Sequence, residues 1–305
     1  MSARSLAPVV LCYLFLLPLG LTKSAHAQAW VPLKGEGQVT TTYQNIYVKY
    51  HLDYQGNTFD SGPVRSQTVI TTLEYGLTNK LTFDASIAHV SSKYEGFVGE
   101  HPHGPVDTGS YHPSFQNLEL GARYNIHSRP LVLTPFVAVV LPTHDYETRG
   151  HSAVGRGLKE LKMGINVGRD LEGILPRSYV QGRYMYAVVE NVEEFGLNRS
   201  NADFELGHFA TDRVSLRFTV ALQKTYGGLR IPIDNNHHHF HDIHDQATRS
   251  DFFRVGGGVS FSLTRSVGLH ADLNNTATGQ NGHKPRGLSL GISWRFSRSR
   301  GVRVD

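Results

Sequence analysis

The chain has 305 residues, 39% of them hydrophobic, and a formal net charge of +4 at pH 7. That length allows one large domain or two small ones, and so small a basic excess gives no reason to expect nucleic acid as a partner. Cys12 is the only cysteine, so a disulfide within the chain is excluded.

The N-terminus reads as a secretory leader. Arg4 supplies a positive charge, the stretch from Ala7 to Leu21 is apolar, and Ala25-His26-Ala27 is a small-x-small cleavage site. The apolar stretch is too short for a spanning helix. Residues 1–27 are therefore expected to be a signal peptide, which removes Cys12 and leaves 28–297 as one domain and 298–305 as a basic tail. No second run of about twenty apolar residues follows, so no helical membrane span is expected.

Twelve segments then alternate apolar and polar residues with a period of two. In chain order they lie near Thr40 to Leu52, Ser66 to Leu77, Leu81 to Ile87, Leu118 to Ile126, Leu131 to Leu141 and Leu161 to Val167. Val180 to Val188, Ala202 to His208, Val214 to Leu222, Val255 to Leu263, Val267 to Leu273 and Leu288 to Phe296 complete the set. The alternation is strictest in two of them. Val214, Leu216, Phe218, Val220 and Leu222 share one face, opposite Ser215, Arg217, Thr219 and Ala221. Leu288, Leu290, Ile292, Trp294 and Phe296 stand opposite Ser289, Gly291, Ser293 and Arg295.

The connections alternate as well. Tight polar turns are read at Thr78-Asn79-Lys80, His127-Ser128-Arg129, Thr211-Asp212-Arg213 and Thr264-Arg265-Ser266. Longer loops rich in Gly, His, Asp and Pro are read near 53–64, 92–114, 143–158, 226–250 and 279–285, with a shorter stretch near 193–197. Short turns on one side and long loops on the other predict an all-β fold, a transmembrane antiparallel up-and-down barrel of about 12 strands in the outer membrane. Tyr47, Tyr50, Tyr75, Tyr124, Tyr184, Tyr186, Trp294 and Phe296 suit its interfacial aromatic girdles. A soluble β-sandwich is the alternative, but it requires neither the parity of loop lengths nor the aromatic strand ends. The expected partners are outer-membrane lipid, the barrel-assembly machinery and a small-molecule solute. No cofactor is expected.

The stretches LEYGLTNKLTFDASI, NLELGARYNI, PFVAVVLPTHDYETRG and KELKMGINVG resemble the outer-membrane family named for the MetA-pathway of phenol degradation. The resemblance runs from about Thr71 to Phe296. It implies a barrel associated in some members with aromatic catabolism, through uptake or export, and it carries no catalytic residues over. The chain departs from a common barrel ending in one respect: Phe296 is followed by a further nine residues, Ser297 to Asp305.

Strand alternation sends one set of charged side chains inward, because a charge on the lipid face costs a few kcal/mol near the midplane. The expected lumen-lining residues are Lys49, Asp84, Glu119, Arg123, Lys162, Arg183, Asp203, Glu205, Arg217, Arg254, His270, Asp272 and Arg295. They could select solutes by charge, or pair across the interior and plug it. A narrow channel for small solutes, hydrophobic or aromatic ones included, is the expectation.

Eleven of the histidines fall in the expected long loops: His101, His103, His112, His144, His151, His237, His238, His239, His241, His244 and His283. Imidazoles beside carboxylates are competent ligands for divalent transition metals. The alternative function is therefore a non-conducting surface barrel that captures metal through His237, His238, His239, His241 and His244. An enzyme is not expected. Asn281-Gly282-His283 has no serine after the histidine, and the spacing of His144, Asp145, Asp242 and His244 does not single them out as a catalytic set.

Overall fold

The computed structural model describes residues 28–96, 104–230 and 243–297. The strands are β1 (Glu36–Leu52), β2 (Thr58–Phe59), β3 (Val64–Gly76), β4 (Leu81–Tyr94), β5 (His112–Tyr124), β6 (Val132–Pro142) and β7 (Glu160–Asp170). They continue with β8 (Ser178–Val189), β9 (Arg199–Phe209), β10 (Val214–Thr225), β11 (Asp251–Ser262), β12 (Val267–Gln280) and β13 (Gly282–Ser297). One helical turn, α1 (His244–Ala247), precedes β11. Apart from the two-residue β2, which only extends the edge of β1, each strand pairs antiparallel with the next. β13 returns to β1, from Glu36 opposite Ser297 to Leu52 opposite Gly282. The twelve long strands thus close into a barrel with no unpaired edge.

Alternation decides which face is which. On β13, Leu288, Leu290, Ile292 and Trp294 are between 42% and 55% exposed, whereas the intervening Ser289 and Ser293 are 5% and 7% exposed. On β6, Val137, Val139 and Leu141 face outward while Phe136, Ala138 and Val140 are buried. This inverts a water-soluble domain, in which the large apolar residues would be the buried ones. At one rim the outward face carries aromatics: Phe296 packs 5.2 Å from Trp294 and stacks 6.3 Å from Tyr75. Gly37 lies between the last pair in the register. A β-carbon there would stand 2.5 Å from the Phe296 ring.

Three of the five connections at the short-turn end share one device. Thr78, Thr211 and Thr264 each accept backbone N–H bonds through Oγ1 from residues two and three further on, at 2.9–3.2 Å. These are hydroxyl-closed turns. The opposite end carries the connections 53–63, 95–111, 143–159, 190–198 and 226–250. The expected long loop at 279–285 is not among them. β12 and β13 run on to a hairpin through Asn281 alone, which adopts φ 50° in the left-handed region that Asn tolerates. Gly, Lys and Pro there suggested a loop, yet Pro285 stays opposite Val48 and His283 opposite His51. β1 absorbs the irregularity with a bulge between Val48 and His51.

The long connections interlock over that end. Asp107 accepts from the backbone amides of His151 and Ser152 at 2.7 and 2.9 Å, and Asp245 of α1 accepts from Gly150 N–H at 2.7 Å. Leu158, Ala187, Val189, Val192, Leu197, Leu229 and Ala247 form a buried apolar cluster beneath them.

Candidate functional site

The site is the barrel interior, which holds a cavity of about 480 Å³. Of the residues expected to face the lumen, Asp84, Glu119, Arg123, Arg183, Glu205, Arg217, His270 and Asp272 line that cavity. Lys162 joins its edge by an ion pair to Glu119 at 2.6 Å. Asp203 and Arg254 approach each other across β10, both in register with Ala221. Arg295, opposite Gln38 on β1, lies toward the short-turn end.

Lys49 is a correction. The cavity takes Thr40 and Thr42 from β1, so odd-numbered residues of this strand face outward. Lys49 is exposed beside the bulge, with its ammonium 5.0 Å from the Tyr50 ring. Val48 turns inward into a buried apolar cluster with Val64 and Tyr94, so a register that puts this apolar residue toward lipid gives Lys49 the wrong face.

The interior charges form three clusters. Arg123 donates to both carboxylate oxygens of Asp84 at 2.9 Å and pairs with Glu74 at 3.2 Å. Lys162 bridges Glu119 and Glu160, and Glu160 also binds Arg199 at 2.6 Å. Arg217 holds Asp272 and donates to Ser260 Oγ at 2.6 Å. Beside this third cluster Glu205 accepts from Tyr179 at 2.6 Å and Gln181 at 3.0 Å, and His270 Nε2 lies 3.2 Å from Thr42 Oγ1. Pairing of this kind offsets the cost of withdrawing each charge from water.

Glu74, Glu160 and Arg199 were not among the expected lumen residues. Glu74 lies on a strand whose alternation is weak, and the other two lie just beyond the predicted strand ends. Extending the alternation one residue before Leu161 reaches Glu160, and three residues before Ala202 reaches Arg199.

A second element enters the interior from the short-turn end. Residues 28–30 run inside the wall. Gln28 O accepts from Arg123 Nη1 at 2.7 Å, and Gln28 Oε1 accepts from Arg183 Nη1 at 3.1 Å. Ala29, fully buried, bonds to Gln181 and Thr134. Trp30 meets Tyr179 edge to face at 5.9 Å. Three wall strands thus grip the segment. Arg183 also lies over the Phe136 ring at 4.3 Å, so the cavity has an apolar flank beside its charged one.

At the long-loop end His51 sits 4.5 Å from His283 and 5.5 Å from His151, ring centre to ring centre. Nearby in the 143–159 connection, burial, with the Arg199 charge adding to it and Glu160 and Asp245 opposing, draws the Arg156 pKa down to about 10; the guanidinium remains charged at neutral pH. Of the expected metal ligands, His237, His238, His239 and His241 lie outside the described residues. His244 begins α1 with Nε2 3.2 Å from Asp245. No group of three or more His, Cys, Asp or Glu among the described residues has a metal-holding arrangement.

No family model and no curated protein sequence matches the chain. Solved structures do. An outer membrane channel from Pseudomonas putida F1 superposes with a TM-score of 0.68 at 16% identity, over 90% of this chain and all of that one. The NanC porin gives a TM-score of 0.46 at 8% identity over 83% of this chain and 98% of its own. The KdgM porin in complex with disordered oligogalacturonate gives 0.44 at 6%, over 84% and 99%. At these identities the first likeness supports the fold, a twelve-stranded barrel, and the other two are too distant to add to it.

Proposed function

We propose that the chain is an outer-membrane channel that passes small solutes through a narrow, charge-lined interior. One observation carries this reading: a closed barrel with an apolar outer face surrounds a cavity of about 480 Å³ lined by charges of both signs. A wall of that kind is stable only where lipid covers its outside and water reaches its inside. The charges are paired but not sealed off, so their field acts on any solute entering the lumen.

The solute class we favour is small, and hydrophobic or aromatic molecules fall within it. Phe136 and Ala138 line the cavity beside Arg123 and Arg183, and an amphipathic ring can meet both flanks at once. The resemblance to the phenol-degradation family agrees with that choice. This reading gives the chain no catalytic role.

Planar-bilayer recording of refolded protein tests the proposal. Discrete conductance steps whose ion selectivity changes when Arg123 or Glu74 is neutralised are expected. A barrel with the heat-modifiable migration of a folded outer-membrane protein and no conductance, even after residues 28–33 are removed, would overturn it.

A further inference from the structure

The outer surface carries a charged patch that the channel reading leaves unused. Arg286 on β13, Tyr47 on β1, Arg65 on β3 and Lys93 on β4 lie in one cross-strand row, each opposite the next in the register. All have the outward parity of their strands. Arg286 shares the face of Leu288 and Leu290, and Arg65 that of Val69. Lys49 and Lys284 continue the patch toward the long loops. Five cations thus stand on four adjacent strands. Against them the described residues set Glu95, which binds Lys93 at 2.9 Å and Arg65 at 3.3 Å, and Asp60 in the loop above.

Height and packing fix what meets this row. From the Tyr75 and Phe296 girdle at Gly37 to the Tyr47 row is ten residues along β1. At roughly 3.3 Å per residue and the usual strand tilt this spans about 25 Å, the height of a barrel's apolar band. The row therefore stands where acyl chains give way to headgroups. Three of its cations lie on tyrosine rings: Arg65 on Tyr47 at 5.0 Å, Lys49 on Tyr50 at 5.0 Å and Lys93 on Tyr111 at 5.1 Å. Stacking of this kind holds a cation at the interface instead of letting it reach freely into water. Elsewhere on the outward rim, among the described residues, Lys159 pairs with Glu190, and Lys224 shares Asp251 with Arg249; neither place gathers five cations as this sector does.

Resting on the outer-membrane reading above, we propose that the β13–β1–β3–β4 sector binds the phosphate-bearing headgroup of a lipid in the leaflet at the long-loop end. Arg65 and Lys93 supply the central contacts, and Arg286 and Lys49 flank them. Guanidinium and ammonium groups over tyrosines suit a phosphorylated sugar, whose phosphates take the cations while its ring lies along the aromatic faces.

The test is native mass spectrometry of the refolded full chain, with diphosphorylated lipid A, the same lipid stripped of phosphate, and inorganic phosphate as probes. The protein should retain the diphosphorylated lipid and not the stripped one. The double variant Arg65→Gln, Lys93→Gln should bind it roughly 30-fold more weakly, while Lys159→Gln behaves as the parent. If the double variant does not refold, Lys49→Gln with Arg286→Gln carries the same expectation. Equal retention by variant and parent, equal retention of the stripped lipid, or displacement by millimolar inorganic phosphate would each overturn the proposal. Heat-modifiable migration and conductance, measured on the same samples, report separately on the barrel and the channel.

Discussion

Arg123, on a strand of the barrel wall, donates from Nη1 to the backbone carbonyl of Gln28 at 2.7 Å, while its other nitrogens hold Asp84 and Glu74. One guanidinium therefore ties two wall carboxylates to the chain segment inside the lumen. Its planar fork of donors allows this, and a lysine ammonium at the same place would not reproduce it.

The segment at 28–30 fills part of the interior, and removing it should widen the conducting path. Deletion of residues 28–33 is expected to raise single-channel conductance roughly two- to fivefold without changing the heat-modifiable migration of the barrel. Trp30→Ala, which loses the ring contact with Tyr179 and the packing over Gly168 but keeps the backbone in place, should give a smaller rise. Bilayer recordings that show the parent's conductance in the deletion variant would refute the assignment of this segment as a constriction.

Neutralising Arg123 acts on both selectivity and stability. Arg123→Gln leaves Glu74 and Asp84 facing each other across the register without their shared cation. Reversal potentials under a salt gradient should move toward cation selectivity. Stability should fall by about 1–3 kcal/mol, less than the roughly 3–5 kcal/mol of a broken fully buried pair, because water reaches the lumen and Glu74 is 40% exposed. An unchanged reversal potential would place the cluster outside the ion path.

Much of this architecture is legible in the sequence because a barrel wall is a local pattern. Period-two alternation and turn residues act over a few positions, so Leu288 to Phe296 and Val214 to Leu222 could be assigned to faces from their own residues. The departures occur where a partner strand decides. Val48 is apolar yet packs inward against Val64 and Tyr94, and taking it as lipid-facing inverts the face read for Lys49. Pro285 and Lys284 look like loop residues until β1 pairs with them. The strand ends that carry Glu160 and Arg199 depend on neighbours for their length. The lumen segment at 28–30 has no periodic pattern, and only the wall that grips it defines its place.

The register also predicts opposite outcomes for two nearby charges. Leu290 is 49% exposed on the outward face near mid-height, so Leu290→Arg should cost about 2–4 kcal/mol of membrane stability and sharply reduce the folded, heat-modifiable fraction. Ser86 lines the cavity opposite Glu119, so Ser86→Lys gains a partner and should assemble at the parent's yield. Refolding yields in lipid vesicles, read by gel migration, compare the two. Equal yields would reverse the assignment of the faces.

Glu95 is the acidic member of the outward patch and gives it a pH dependence. It lies beyond β4, and its bond from Lys93, with Arg65 adding to it, draws the carboxyl below its ordinary value of 4.5 against a smaller opposing effect of burial. A depressed carboxyl contributes stability that is complete above the unfolded value and is lost as pH falls through the folded one. At pH 7 the ion pairs are therefore fully formed. Glu95 is exposed enough that Glu95→Gln should cost less than about 1 kcal/mol. The same substitution removes a negative charge from the headgroup row, so at pH 7 it should strengthen retention of diphosphorylated lipid A roughly fivefold. Acidification from pH 6 to pH 3 should shrink the ratio of variant to parent toward one as the parent's Glu95 takes up a proton. Taking the ratio at each pH cancels the titration of the lipid's own phosphates. A ratio that stays at one throughout would show that Glu95 does not share a field with the bound headgroup.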